Sequence, residues 1–332
     1  MKIIKIILCI CIISLISTKI AIAEDFDSWV LSFKNYAIKK GISKKTLDET
    51  MSKVKFLPKV IEYDRYQPEF YEDTKTYISK RTSNDKLKKG TELFNKNNTF
   101  ISDIESKFDV EKELLLSLMG IETNFGTYLG KMDILSSLAT LSFDKRRSEF
   151  FTKELITILK LIDSGSIDRN ILYGSWAGAF GNFQFMPSTI NRYAIDYNND
   201  NFIDLKSTED SFASAANYIN KLGWKKNNPC FYRVKLRENI PVKFLNTSAK
   251  KIKNKKKLKD FAKYIINYEN IKINENLVVG IITPDREIVE NSKLLDPAYI
   301  TFSNYELILK WNRSLRFALA VCTLKDKFKN EL

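Results

Sequence analysis

The chain has 332 residues, 44% of them hydrophobic, which is enough for a sizeable core and for one to three domains. It contains no histidine, so mechanisms that need a catalytic or zinc-bound imidazole are excluded, and acid–base chemistry must use carboxylate, lysine, tyrosine or cysteine side chains. The formal net charge of +14 suits an anionic polymer or membrane surface in an exported protein, and nucleic acid in a cytosolic one.

The first 23 residues have the pattern of a secretory signal peptide. Lys2 and Lys5 give a charged start, residues 6–16 are almost all apolar, and Ala21-Ile22-Ala23 supplies small residues for a cleavage site. The apolar run is too short to span a bilayer, which disfavours a membrane anchor, and no later stretch predicts a transmembrane helix. We therefore predict an exported, periplasmic protein cleaved after Ala23, and export argues against a nucleic-acid partner.

Most of the chain after this leader has helical periodicity. Short alternating runs between residues 230 and 300 interrupt it and predict a small α/β or β-rich insertion. The predicted fold class is therefore mainly α with some β structure (α+β). The expected parts are an N-terminal helical part at residues 24–100, a core at 101–229, the insertion at 230–300 and a C-terminal helix at 301–332 that returns to the core.

Two cysteines, Cys230 and Cys322, remain after the predicted cleavage. In an oxidising compartment they could form a disulfide, but two buried free thiols fit the sequence equally well. The sequence leaves both alternatives open.

The segment around Glu122 carries a candidate for acid–base chemistry. Asp109 can cap a helix in which Leu115, Leu118 and Met119 share a face with Glu122. Burial against apolar side chains disfavours a charged carboxylate and raises its pKa, as a general acid near neutral pH requires. The spacing alone fits equally well a glutamate that faces solvent where the helix ends, so the interpretation depends on further motifs.

Five short motifs occur in an order and at intervals typical of one enzyme family. They are YQPEF at residues 66–70, MGIETNFG at 119–126, SLATLSF at 137–143, GSWAGAFGNFQFMPS at 174–188 and WNRS at 311–314. These motifs resemble those of membrane-bound lytic murein transglycosylase B and its relatives. The resemblance covers nearly the whole chain after residue 23 and is weakest between residues 230 and 300.

The resemblance implies a lysozyme-like, α-rich core and a single catalytic carboxylate, Glu122. Protonated Glu122 would donate to the glycosidic oxygen between MurNAc and GlcNAc in peptidoglycan. The resulting carboxylate would then take the proton of the MurNAc 6-hydroxyl, which closes on C1 to give a 1,6-anhydro end. Hydrolytic glycosidases, in contrast, use two carboxylates. Because the nucleophile belongs to the substrate, catalysis requires no cofactor.

Polar residues near this motif are implied to contact the substrate. Ser175 and Gln184 lie in a glycine-rich loop where hydroxyl and amide groups can bind a sugar, although turn formation explains the same residue types. Asn312 matches a substrate-contacting asparagine of the family. Arg146 and Arg147 have two alternative roles: pairing with carboxylates of the peptide stems, or with an acidic residue inside the fold.

Aromatic residues are candidate stacking surfaces, because the apolar face of a sugar ring suits an aromatic platform. Tyr77 and Trp311 are the residues that we predict for this role. For Phe150 and Phe317 we favour packing in the core.

Residues 196–204 read DYNNDNFID, with oxygen-bearing residues at the 1, 3, 5 and 7 positions of an EF-hand-like loop. Ser207 stands where the loop's last glutamate would be, and Asp210 is placed to replace it. A turn followed by a helix capped by Ser207 explains the segment equally well. The candidate ligands of a structural Ca²⁺ ion are the side chains of Asp196, Asn198, Asp200 and Asp210 and the carbonyl of Phe202.

The sequence thus predicts a monomeric lytic transglycosylase that acts on the glycan strands of peptidoglycan. One alternative is a muramidase that hydrolyses the same bond, which the lack of an obvious second carboxylate motif disfavours. The other is a non-catalytic peptidoglycan-binding scaffold, which the presence of Glu122 together with Ser175 and Gln184 disfavours.

Overall fold

The structure is a computed structural model that describes residues 25–66, 72–286 and 295–332. The predicted signal peptide with its cleavage site after Ala23, and residues 67–70 of the YQPEF motif, lie outside the described residues. Within the described ranges, no helix combines the length and apolar character needed to cross a membrane.

Helices occupy most of the chain up to residue 123. They are α1 (Phe26–Lys39), α2 (Lys44–Thr50), α3 (Pro58–Arg65), α4 (Thr74–Arg81), α5 (Asn84–Lys96), α6 (Asn98–Phe108) and α7 (Lys112–Thr123). Short polar side chains begin several of them: Asp25 accepts a hydrogen bond from the Ser28 N–H at 2.9 Å ahead of α1. The sequence suggested that Asp109 caps α7, but in the structure it does not. It ends α6 in the left-handed conformation (φ 53°), which a short polar residue tolerates.

The second half of the main body combines helices with one short pair of antiparallel strands. The helices are α8 (Ile134–Phe143), α9 (Ser148–Asp163), α10 (Pro187–Tyr193) and α11 (Thr208–Lys221), and the paired strands are β1 (Met132–Asp133) and β2 (Tyr173–Gly174). Helix α7 is central: Leu114, Leu115, Leu116 and Leu118 are fully buried, so it is apolar on nearly every side.

The chain then forms a small lobe around a five-stranded sheet. Its elements are β3 (Phe231–Val234), β4 (Leu245–Asn246), β5 (Lys256–Lys257), α12 (Leu258–Phe261), β6 (Val278–Ile282) and β7 (Ala298–Thr301). Strands β3, β7 and β6 pair antiparallel in that order, and β6 also pairs with β4 in parallel and with β5 antiparallel. The lobe has its own hydrophobic cluster, which includes Phe244, Phe261 and Ile300. The predicted fold class, mainly α with a small sheet, is confirmed, whereas the exact domain boundaries stay predictions.

Two C-terminal helices return the chain to the main body: α13 (Ser303–Trp311) and α14 (Leu315–Glu331). Helix α14 packs along α7, and Leu319, Val321 and Leu324 are among its buried residues. Cys230 and Cys322 form a disulfide with a Cα–Cα distance of 6.2 Å, so the first of the two alternatives for these cysteines is correct. The bond joins the start of the small lobe to α14.

Candidate active site

Glu122 lies in the last turn of α7, and the chain after it turns sharply. Asn124 (φ 51°), Phe125 (φ 59°) and Gly126 (φ 79°) all adopt the left-handed conformation. Two consecutive non-glycine residues in this conformation cost energy, so surrounding contacts must hold them there. Thr123 supplies such contacts: its hydroxyl accepts a hydrogen bond from the Gly126 N–H at 3.1 Å and donates to the Asn182 carbonyl at 2.8 Å.

Trp311, the last residue of α13, donates its indole N–H to Oε1 of Glu122 at 2.9 Å. The indole is half-buried: it stacks on Tyr218 with ring centroids 5.1 Å apart and packs edge-on against Phe185 at 5.3 Å. The sequence predicted Trp311 as a sugar-stacking surface. The structure assigns it a hydrogen bond to the glutamate, a role that no local pattern indicated.

Glu122 lines an open groove of about 390 Å³ between α7 and the α4–α5 region. Basic residues dominate the opposite wall, and one carboxylate, Asp85, also faces the groove. The lining residues are Lys80, Ser83, Asp85, Lys86, Lys89, Ile121, Glu122, Thr123, Asn124 and Tyr128. Tyr128 is 71% exposed, so an aromatic face is accessible beside the glutamate.

The glycine-rich loop at residues 174–186 packs against this turn and carries Ser175 and Gln184. The Ser175 hydroxyl accepts a hydrogen bond from the Ala179 N–H at 3.0 Å, which closes a tight turn. The Gln184 side-chain amide donates to the Gly181 carbonyl at 2.9 Å and to the Leu129 carbonyl at 3.3 Å. Both side chains are half-buried and thus support the loop, and their contact with substrate stays a prediction.

Asn182, which we did not predict as a site residue, anchors the same loop. It is 4% exposed, and its side-chain amide donates to the Lys206 carbonyl at 3.1 Å and to the Ser211 hydroxyl at 3.0 Å. Because its own carbonyl accepts from Thr123, Asn182 links the loop to the turn after Glu122. The sequence signal was present, since Asn182 lies inside the GSWAGAFGNFQFMPS motif.

Arg146 and Arg147 both pair with Asp64, whose side chain is only 1% exposed. The Nε of Arg146 donates to Asp64 at 2.7 Å, and Arg147 contacts the other carboxylate oxygen. Of the two alternatives given by the sequence, the structure shows the acidic partner inside the fold. Each guanidinium remains partly exposed, so a contact with peptide stems stays a prediction.

The other predicted contact residues have mixed surroundings. Tyr77 is 4% exposed and the Arg81 guanidinium lies 3.5 Å from its ring centroid, so the ring is not presented at the surface. Asn312 follows α13 and is half-buried. Phe317 is buried as expected, but core packing was the wrong prediction for Phe150, which is 46% exposed because its position on α9 faces outward.

In the loop at residues 196–204, side-chain oxygens accept hydrogen bonds from backbone N–H groups of the same loop. Asp196 accepts hydrogen bonds from the N–H groups of Asp200 and Asn201, and Asn201 takes the left-handed turn position with φ 74°. Asp210 is fully buried and accepts from the N–H groups of Tyr197 (2.8 Å) and Asp204 (2.9 Å). Burial raises the pKa of the Asp210 carboxyl, while these hydrogen bonds oppose the shift.

This loop fits a Ca²⁺ ion in its turn geometry and in its oxygen donors, which hard cations prefer. Ser207 caps α11 by accepting from the Asp210 N–H at 3.2 Å, so the capping interpretation is correct, whereas calcium binding stays a prediction. Nowhere in the described ranges do three or more Asp, Glu or Cys side chains cluster closely enough to hold a metal ion. Asp196, Asp200 and Asp210 therefore lie too far apart to hold an ion together in this structure, and the loop would have to close around Ca²⁺, with the Asn198 amide and the Phe202 carbonyl as further ligands.

A mainly helical body that holds one glutamate at the end of its central helix, beside an open groove, places the chain in the lysozyme-like fold class. The chain matches the family described as "Transglycosylase SLT domain" over residues 25–326, and it belongs to that family.

Individual relatives agree with this assignment. Membrane-bound lytic murein transglycosylase B of Escherichia coli (strain K12) is 37% identical over 153 residues, which are 46% of this chain and 42% of that protein, so the match spans less than half of the curated relative. SltB3 from Pseudomonas aeruginosa, solved with NAG-NAM-pentapeptide, has a TM-score of 0.81 at 28% identity, covering 92% of this chain and 80% of that one. Lytic transglycosylase Slt35 from Escherichia coli, solved with calcium, has a TM-score of 0.75 at 26% identity, covering 91% and 93%.

Proposed function

We propose that this protein is a lytic transglycosylase that cleaves the MurNAc–GlcNAc β-1,4 bond of peptidoglycan and leaves a 1,6-anhydroMurNAc end. The observation that carries the proposal is the position of Glu122, which lines an open groove at the end of a buried helix and accepts the Trp311 N–H at 2.9 Å. The Pseudomonas aeruginosa relative SltB3 has been solved with NAG-anhNAM-pentapeptide, a fragment that carries an anhydro end.

The proposed reaction uses one carboxyl group twice. Trp311 donates to Oε1 of Glu122, and we assign both proton transfers to this carboxyl group. In the first step the protonated glutamate donates to the glycosidic oxygen, the C1–O bond breaks, and the substrate's N-acetyl carbonyl stabilises the positive charge at C1. In the second step the carboxylate takes the 6-hydroxyl proton as that oxygen bonds to C1. The glutamate ends protonated, as it began, so the cycle is balanced.

Hydrolysis of the same bond is the second candidate, because a second carboxylate, Asp85, lines the groove with Glu122. An inverting or retaining hydrolase needs such a pair to activate water or to form a covalent intermediate. Asp85 lies in the first turn of α5 and is exposed, an environment that does not resemble the half-buried position of Glu122. We therefore favour the transglycosylase reaction.

Mass analysis of the products distinguishes these two reactions. Incubating the protein from residue 24 onward with purified sacculi is expected to release muropeptides with 1,6-anhydroMurNAc ends, each lighter by one water than the hydrolysed product. The Asp85→Asn variant is expected to give the same products, because the second carboxylate has no role in the proposed reaction. If the original protein instead forms products with reducing MurNAc ends, and the Asp85→Asn variant does not form them, the protein is a muramidase.

We also propose that the loop at residues 196–204 binds a structural Ca²⁺ ion. Asp196, Asn198, Asp200, the Phe202 carbonyl and Asp210 would hold it, and the left-handed Asn201 supports the required turn. Slt35, a relative of this chain, has been solved in complex with calcium. The ion would stabilise the fold and take no part in catalysis, because the loop residues do not line the groove of Glu122.

Calcium is expected to raise the melting temperature. At 10 mM Ca²⁺ and a dissociation constant of about 0.1–1 mM, binding to the folded state stabilises it by roughly 1.4–2.7 kcal/mol, or roughly 3–6 °C. Thermal unfolding with Ca²⁺ and with a chelator measures the shift. Asp200→Ala should remove it, while Glu209→Gln, at an exposed acid next to the site, should keep it. An equal melting temperature with and without Ca²⁺ would contradict the proposal.

The proposed function also requires that the protein is exported from the cytoplasm. Peptidoglycan lies outside the cytoplasm, and residues 1–23 have the charged start, apolar run and small-residue site of a cleaved leader. We propose that the protein acts in the periplasm after cleavage behind Ala23. N-terminal sequencing of protein from the envelope fraction is expected to start at Glu24, and an uncleaved or acylated N-terminus would contradict this.

A further inference from the structure

Lys86 on α5 contacts the residues on both sides of Glu122. Its ammonium group donates to the backbone carbonyl of Gly120 and to Oδ1 of Asn124, the latter at 3.1 Å. Gly120 lies two residues before Glu122 and Asn124 two residues after it. A single side chain from another helix thus bridges the last turn of α7 and the left-handed turn that follows.

Close packing of α5 on this turn makes the bridge possible. Gly90 lies one turn after Lys86 on the same face of α5. A Cβ atom at Gly90 would lie 2.8 Å from the Phe125 ring and still closer to Phe328, so only glycine permits the approach. A Cβ at Gly120 would also meet the Phe125 ring, at 2.7 Å. The Phe125 ring therefore packs against both glycines. Because these positions have no side chains, α5 comes close enough to α7 for Lys86 to reach the turn.

The bridge places a cation at the carbonyl end of α7. The carbonyls of the last turn point along the helix axis and carry partial negative charge, which a cation stabilises. The Gly120 carbonyl accepts both the Lys86 ammonium and the Asn124 N–H at 3.2 Å. Burial, together with the charges of Lys89 and Arg81, lowers the pKa of Lys86.

We propose that Lys86 is a positioning residue for the reaction proposed above, on which this inference rests. It fixes the backbone from Gly120 to Asn124 and thereby the direction in which Glu122 presents its carboxyl group to the groove. The neighbouring Trp311 hydrogen bond sets the position of one carboxyl oxygen, and Lys86 sets the backbone from which the side chain departs. Lys86 acts through Glu122 and does not itself transfer a proton.

The test replaces Lys86 by Met, which keeps the side-chain stem and removes the charge and the donors. With soluble glycan strands as substrate, kcat is expected to fall about 10- to 100-fold, as for small misplacements of a catalytic group, while KM changes less than about threefold. Lys86→Arg, which retains donors and charge, should recover much of kcat. Lys88→Met, at an exposed lysine on the same helix outside the groove, is the matched control and should behave as the original protein.

A second variant removes a hydrogen-bond acceptor of Lys86. Asn124→Gly deletes Oδ1 and tolerates the φ of 51° without strain, so it is expected to lower kcat about 10-fold and to remain folded. Added to Lys86→Met it should cost little more, because both variants remove the same bridge. Independent, additive losses of kcat would overturn the coupling.

Binding measured without turnover separates positioning from substrate contact. In the Glu122→Gln background, Lys86→Met is expected to leave the affinity for the glycan strands unchanged. Unchanged kcat in folded Lys86→Met, or a 10-fold loss of affinity in the Glu122→Gln background, would overturn the inference. Neither outcome affects the proposed function, which fails instead if Glu122→Gln stays active or if the products carry reducing ends.

Discussion

Replacing Glu122 by Gln is expected to abolish lysis of sacculi while the protein remains folded. The amide has the size of the carboxylic acid, and its oxygen can still accept the Trp311 N–H, so the local packing should be kept. It can neither release a proton to the glycosidic oxygen nor take one from the 6-hydroxyl. General acid–base catalysis contributes about 10²–10⁴-fold, and here one residue serves both steps, so the loss should reach or exceed the upper value.

Release of anhydro-muropeptides, followed by mass analysis, measures this loss, and circular dichroism checks the fold. Glu113→Gln is the matched control: Glu113 lies in the first turn of the same helix and pairs with Lys112 at 3.2 Å, far along α7 from the groove. It should retain normal activity. A folded Glu122→Gln protein with near-normal release would remove Glu122 from its proposed role.

Sequence periodicity and motifs were sufficient for the features that local patterns determine. The apolar stripe around Leu115 and Leu118 predicted the buried helix that carries Glu122, and the alternating runs after residue 230 predicted the small sheet. The GSWAGAFGNFQFMPS motif located the loop that packs against the glutamate turn. Each of these depends on residues that are close in sequence, so periodicity and spacing can reveal it.

Contacts between distant segments could not be predicted in the same way. The Trp311–Glu122 hydrogen bond joins residues 189 apart, and Asp64 pairs with arginines more than 80 residues later. Lys86 is one of many lysines, and nothing around it distinguishes the one that reaches Gly120. These pairs arise because helices far apart in the chain pack side by side, which a single sequence does not encode as a local pattern.

Errors in the sequence analysis have similar physical causes. Asp109 fits a helix cap as well as a left-handed helix end, and only the meeting of α6 and α7 decides between them. Phe150 has the composition of a core residue but lies on the outer face of α9. The role of Tyr77 as a sugar platform stays a prediction, and the Arg81 guanidinium 3.5 Å from its ring centroid covers one face of the ring.

A second large effect is expected where the small lobe joins the main body. Asp285 (8% exposed) follows β6, pairs with Arg316 of α14 (4% exposed) at 2.7 Å, and accepts the Thr74 N–H at the start of α4 at 3.1 Å. Breaking a buried ion pair by removing one partner costs about 3–5 kcal/mol, because the other charge stays buried and uncompensated. Since α4 carries Lys80 into the groove wall, the same carboxylate also ties the lobe to the site.

Asp285→Asn is therefore expected to lower the free energy of unfolding by about 3–5 kcal/mol and the melting temperature by roughly 6–10 °C. Asp296→Asn is the matched control, because Asp296 pairs with Arg233 at 3.2 Å but both side chains are 65% exposed, and such pairs contribute about 1 kcal/mol or less. Urea unfolding of both variants measures the difference. The double variant Asp285→Leu with Arg316→Met should regain part of the loss, since no charge is then left buried alone. Equal, small losses in Asp285→Asn and Asp296→Asn would show that the buried pair does not hold the lobe to the main body.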